Sequence, residues 1–162
     1  MTKARSASAL LVLSACADTS LVSPPEGASL LFEATARGSI VYECVGVEGH
    51  VWQARSVKEA FFDEHGRQIA ERQTRGWRAI DGSTVKVESI GREPSKRAGN
   101  IDSRLWAVRS HEGDGIFDSV ETVRRVRGKG GEPVSFLCSD WGAQSRLDYT
   151  AHYQFYGVGR YP

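Results

Sequence analysis

The side chains able to do chemistry are few, and their spacing narrows what that chemistry can be. The four histidines are His50, His65, His111 and His152, and no pair stands at a His-x-x-x-His or Cys-x-x-Cys spacing that would hold zinc. His111 opens "HEGDGIFD", where Glu112, Asp114 and Asp118 could offer oxygen to calcium. The spacing of acids around a glycine that an EF-hand loop needs is absent, so a polar hairpin turn is the better account. The segment "RGKGGEPV" has the glycines of a phosphate loop but not the Gly-Lys-Ser/Thr ending. No Gly-x-Ser-x-Gly elbow is present, and neither a metal nor a cofactor is expected. Aromatic rings remain. Trp52 and Trp106 fall within alternating segments and should pack in a core, whereas Trp77 and Trp141 stand beside glycines in turn-rich stretches. An exposed indole there could stack on a sugar or a peptide. Trp77, Trp141 and His111 are therefore the candidate ligand contacts. For a hydrolase, the candidate carboxylates are the loop residues Asp114 and Asp140.

Cys16 has the most specific surroundings of the three cysteines. Lys3 and Arg5 precede an apolar stretch from Ala7 to Leu13, too short to cross a bilayer but shaped like the apolar region of a signal peptide. Leu13-Ser14-Ala15-Cys16 then resembles the lipobox of bacterial lipoproteins: a branched apolar residue, two small ones and a thiol that receives diacylglyceryl. Ala15-Cys16-Ala17 also fits the small-x-small site of the ordinary signal peptidase, which would discard Cys16 with the leader. The lipobox reading gives a signal peptide over 1–15, a lipidated flexible tether over 16–28 and a folded domain over 29–162. It places the protein in the bacterial cell envelope, lipid-anchored, and Ala17 after the anchor points to the outer membrane. The membrane is then one partner, reached through the lipid.

Charge excludes a further class. Once Lys3 and Arg5 leave the 21 basic residues, 19 basic face 20 acidic ones, and a near-neutral chain lacks the basic excess of nucleic-acid binders.

The elements that must position these residues read as β. In "LLFEATAR" the residues Leu30, Phe32, Ala34 and Ala36 share one face, and in "SIVYECV" Ile40, Tyr42 and Cys44 share one, with Gly38 between as a hairpin turn. Alternation also marks "HVWQARSV", "TVKVESI", "SRLWAVRSH", "SVETVRRVR" and "LDYTAHYQFY". "KEAFFDEHGRQIAERQ" divides into two strands about Gly66, and residues 91–102 form the longest connection, expected to be mobile. Eight to ten short strands at such intervals predict one all-β domain, an antiparallel barrel or sandwich.

Taken in order, "LLFEATARGSIVYEC", "FFDEHGRQIAERQTRGWRAIDGSTV", "LWAVRSHEGDGIFDSVETVRRVRGKGGEPVSFLC" and "YTAHYQFY" resemble the family called domain of unknown function 3455, over roughly residues 30–156. The resemblance implies secretion, one domain and a Cys44–Cys138 partnership, and it supplies no catalytic residues. Export argues the same pairing, since an oxidising compartment with Cys16 committed elsewhere leaves an even number of thiols. That disulfide would leave no free thiolate for a cysteine nucleophile. One departure stands out: where many members read His-x-x-Gly-Pro-x-Trp, this chain has "RQTRGW", with Arg72 near the histidine position. Two functions are expected in outline. The first is a non-catalytic binding or envelope-accessory module, with a glycan or an envelope protein as ligand. The alternative is an extracytoplasmic hydrolase acting on envelope or extracellular glycans.

Overall fold

The structure is a computed structural model that describes residues 20–46 and 49–158. The expected leader, the anchor at Cys16 and the start of the tether lie outside the described residues. Eight strands follow one another: β1 (Ser29–Val45), β2 (Val51–Phe62), β3 (Gln68–Gln73), β4 (Gly76–Ala79), β5 (Thr84–Glu93), β6 (Ser103–Glu112), β7 (Thr122–Gly130) and β8 (Gln144–Gly157). Each pairs with the next, and antiparallel pairing of β8 with β1 closes the sheet into an up-and-down barrel. Of the two architectures expected, the barrel is the one that forms. The β3–β4 hairpin is short, so closure is continuous toward the end that holds the 63–67 and 80–83 turns, while Val51–Lys58 of β2 and Glu88–Glu93 of β5 have no strand partner on the side of that hairpin.

Successive connections alternate between the two ends. Residues 46, 49–50, 94–102 and 131–143 gather at one end, hereafter the mouth; residues 63–67, 80–83 and 113–121 gather at the other, and the 74–75 turn stops partway up the wall, at the level of Val87.

The first hairpin expected from sequence does not exist. β1 runs unbroken through Gly38, with Ala34, Ala36, Ile40, Tyr42 and Cys44 all buried on the inner face. The even-numbered alternation passes through Gly38 without changing phase, which a turn would not allow. Glycine is there for space. A Cβ at position 38 would lie 2.5 Å from the Lys58 carbonyl oxygen and 2.6 Å from Cζ of Tyr149.

The hairpin about Gly66 does form, with φ of +75° at the glycine and the Asp63 side chain accepting from the Arg67 and His65 amides. Two further expectations change. Residues 20–28, read as a flexible tether, lie against the barrel: Val22 is 1% exposed, and the Ser20 hydroxyl donates to Glu93 at 2.9 Å. The long connection ends with Ile101 and Asp102 both buried, so its C-terminal end is part of the interior.

The interior has two unlike halves. Away from the mouth it is aromatic: Phe61, Trp77, Tyr153 and Phe155 meet edge-on, and Phe117 from the 113–121 loop packs on Phe32 and Phe155 with centroids 6.2 and 5.6 Å apart. Phe117 is a plug. Asp81 holds it by accepting from the Ile116 and Ser83 amides at 2.8 and 2.9 Å and from the Ser83 hydroxyl at 2.6 Å. At the other end Cys44 and Cys138 form the expected disulfide, which ties the 131–143 loop across the β1–β2 corner.

Candidate functional site

The mouth opens into a cavity of about 380 Å3, within the size range of small-molecule sites (about 300–1,000 Å3). Its walls carry four arginines: Arg72 from β3, Arg92 from β5, Arg104 from β6 and Arg125 from β7. Facing them are Asp102 and Glu132, with Tyr42, Tyr149, Trp52 and Trp106 supplying ring surface.

Asp102 organises the arginines. Its Oδ1 accepts from Arg125 and its Oδ2 from Arg92 and, at 2.8 Å, from Arg104. Arg125 Nε also donates to the Asp102 carbonyl at 3.1 Å. Burial alone would raise the Asp102 pKa, but the Arg104 hydrogen bond and the charges of Arg125, Arg104 and Arg92 outweigh it and hold the carboxyl below its usual range. Glu132 goes the other way, pushed up by burial and by the charge of Asp102. The Arg104 and Arg125 guanidinium carbons lie 5.8 and 5.5 Å from the Trp106 ring centroid, within reach of its face. Arg104 Nε is shielded from solvent and has no hydrogen-bond partner among the described residues.

A second network forms the floor. The Glu59 side chain is 0% exposed, and its Oε1 accepts from the hydroxyls of Tyr149 and Tyr153, both at 2.7 Å. Its Oε2 lies 3.4 Å from Trp77 Nε1 and 3.5 Å from Arg72. Burial, followed by the Glu59 charge, raises the pKa of both tyrosines, so they remain donors. Tyr42, whose hydroxyl donates to the Gly131 carbonyl at 2.9 Å, is pushed up to about 12, first by burial and then by Glu132 and Asp102.

The structure scatters the residues singled out from sequence. Trp77 is not a surface ring: it is 1% exposed, because Gly76–Ala79 is a strand and its odd positions point inward. The His111 Nε2 sits 2.7 Å from the Val120 carbonyl, which requires the proton on that nitrogen, so His111 braces the plug loop away from the mouth. Trp141 is 72% exposed on the same connection as Phe136, which lines the cavity. Asp114 and Asp140 lie in connections at opposite ends of the barrel and do not share a cleft. Trp52 and Trp106 do line the interior, as expected.

The polar groups of the mouth were visible only as phase errors. Glu59 falls on the same alternating face as Val57 and Phe61, Arg104 on that of Trp106, and Arg125 on that of Val123. A charge in phase with core residues is the signal that could have found them.

Residues 65–157 match a family model described as "Protein of unknown function (DUF3455)". The chain belongs to that family. No curated protein and no solved structure matches it. The matched span runs from the β2–β3 turn to the end of β8, and it contains Arg72, Asp102, Arg125, Glu132 and both floor tyrosines. Glu59, Tyr42 and Trp52 precede it.

Proposed function

We propose that the protein is a lipid-anchored module of the bacterial cell envelope that binds a small anionic ligand in the mouth of its barrel without transforming it. The lipobox at Cys16 supports the anchor, and the Cys44–Cys138 disulfide fits an oxidising compartment. One observation carries the binding reading: four guanidinium groups face two carboxylates in a cavity whose floor is the Tyr149–Glu59 network. An eight-stranded barrel of this kind has room for one small ligand. The excess positive charge calls for a carboxylate or phosphate. Among the expected ligands this favours a glycan unit bearing an acid group.

The hydrolase reading retains one observation. Asp102 and Glu132 share the cavity and their pKa values are pushed apart, the pattern of a base and an acid. Yet three arginines already occupy both oxygens of Asp102 and three of its roughly four lone-pair positions, and the charge they place on it weakens it as a base.

Calorimetric titration with galacturonate, inorganic phosphate and neutral galactose tests the ligand class. Both anions should bind at least about tenfold more tightly than galactose, the equivalent of one charge-assisted hydrogen bond. Arg104→Gln should remove that preference. Equal affinity for galactose, or no binding of either anion, would refute it. Turnover of a glycan, lost on Glu132→Gln, would establish the enzyme instead. For the anchor, Cys16→Ser should abolish lipidation and move the protein out of the detergent phase in phase partitioning. Wild-type protein that partitions into water with a mature terminus at Asp18 would exclude the lipid.

A further inference from the structure

Three features converge on the mouth end. The first is the exit of the chain toward its anchor. Ser20 is held by Glu93 at the mouth end of β5, so the four residues back to Cys16 reach at most about 14 Å. The second is an apolar rim. Val134, Phe136, Leu137 and Trp141 are 80, 58, 70 and 72% exposed on the 131–143 connection. That connection does not hang free, because the disulfide at Cys138 and the Trp52 amide donating to the Phe136 carbonyl at 2.9 Å fix it over β1 and β2. In an eight-stranded barrel β5 lies across the mouth from β1, so Phe136 and Leu137, held over β2, stand across the opening from Glu93, while Val134 lies beside Gly99 of the 94–102 connection. The third is charge. Among the described exposed residues of the connections, Lys96 and Arg97 outnumber Asp140 at the mouth end, whereas Glu64, Asp81, Asp114, Asp118 and Glu121 outnumber Arg67 at the far end.

We propose that the mouth end docks on the bilayer that holds the anchor, with Phe136, Leu137 and Trp141 entering the lipid interface and the mouth facing the headgroups. This rests on the anchored reading above. Tethering on one side of an opening leaves a barrel free to tilt, and an apolar rim on the other side supplies the second point of contact. Tryptophan and phenylalanine are suited to the interface, and basic residues to an anionic headgroup layer. The acidic far end is then turned away from the membrane by repulsion. A ligand reaches the arginines from the headgroup layer rather than from bulk solution.

The test is depth-dependent quenching of tryptophan emission in the full lipoprotein. It is reconstituted in vesicles of phosphatidylethanolamine and phosphatidylglycerol, with brominated acyl chains in one preparation and unbrominated chains in the other. Bromine should quench a component of the emission that Trp141→Ala removes, and the vesicles should shield that component from aqueous iodide. Because Trp141 is exposed, this variant leaves the core untouched. Lipoprotein that floats with vesicles but shows equal emission from both preparations overturns the docking and leaves the anchor intact. Protein that fails to float at all overturns the anchor and the docking together.

Discussion

Replacing Glu59 by glutamine should destabilise the barrel by about 3 kcal/mol while keeping the shape of the side chain. The carboxylate is 0% exposed and makes two 2.7 Å contacts with tyrosine hydroxyls. A hydrogen bond to a charged group contributes roughly 1.5–3 kcal/mol against about 0.5–1.5 for a neutral one, so two such bonds lose about 2 kcal/mol together. The amide nitrogen would also face two donors, Trp77 Nε1 and Arg72, and the loss of that half-buried ion pair adds about 1 kcal/mol. At a typical m of about 2 kcal/mol per molar urea, the midpoint falls by roughly 1.5 M. The melting temperature of a domain this size falls by roughly 6–12 °C. Equilibrium urea unfolding with the disulfide intact measures the first, calorimetry the second. The decisive control is the same substitution in a Tyr149→Phe/Tyr153→Phe background, where the charged hydrogen bonds are already gone and the cost should shrink below about 1.5 kcal/mol. A loss below 1 kcal/mol in the wild type, or an equal loss in both backgrounds, would refute the argument that the tyrosines are held by charge.

Alkylation without reduction should leave Cys44 and Cys138 unlabelled, and Cys44→Ser/Cys138→Ser should cost up to about 4–5 kcal/mol for a loop closed across 94 positions. Gly38→Ala should lose about 1–3 kcal/mol, since its Cβ would collide with the Lys58 carbonyl and the Tyr149 ring; an unchanged melting temperature would contradict the close approach. The Asp102 carboxyl is held below its ordinary value, so its stabilisation is complete above about pH 4 and is lost as pH falls through its folded value. A plot of stability against pH should therefore slope more steeply below about pH 4 in the wild type than in Asp102→Asn. Parallel curves would count against the arginine cluster.

Alternation carried most of the barrel, because a period of two survives in sequence wherever one face of a strand is buried. It also explains the errors. "LLFEATAR" and "SIVYECV" look like two strands only if Gly38 is taken for a turn; the continuous even-numbered phase says one strand. β4 is four residues long, too short for alternation to show, and so Trp77 read as a turn residue. The polar stretch "REPSKRAGNID" gave no sign that its last two residues enter the interior, since Arg104 and Arg125, the side-chain partners of Asp102, come from two other strands. His111 was singled out for its acidic neighbours, whereas its role depends on a carbonyl nine residues away in a folded loop. Long-range pairing of polar groups has no period, which is why the disulfide could be argued from compartment and number but Asp102 could not be found.

The division of the interior into an aromatic half and a charged half bears on what the barrel is for. The far half could be extended to the mouth with apolar side chains, and stability alone would favour that, because buried ion pairs are weak stabilisers relative to hydrophobic packing of similar volume. Instead three arginines are gathered around one aspartate, and a fourth sits over Glu59. An arrangement built only to neutralise Asp102 would need one arginine. With Glu132 also 4.0 Å from Arg92, the three arginines exceed the two carboxylates beside them by one positive charge, and the carboxylate of Asp102 fixes the direction in which their remaining N–H groups point. On the proposed binding reading Asp102 positions the arginines, and the surplus is what an incoming anion would complete. Where local rules of patterning fail in a fold that otherwise obeys them, function is the physical reason to seek, and here Asp102, Arg104 and Arg125 border one cavity.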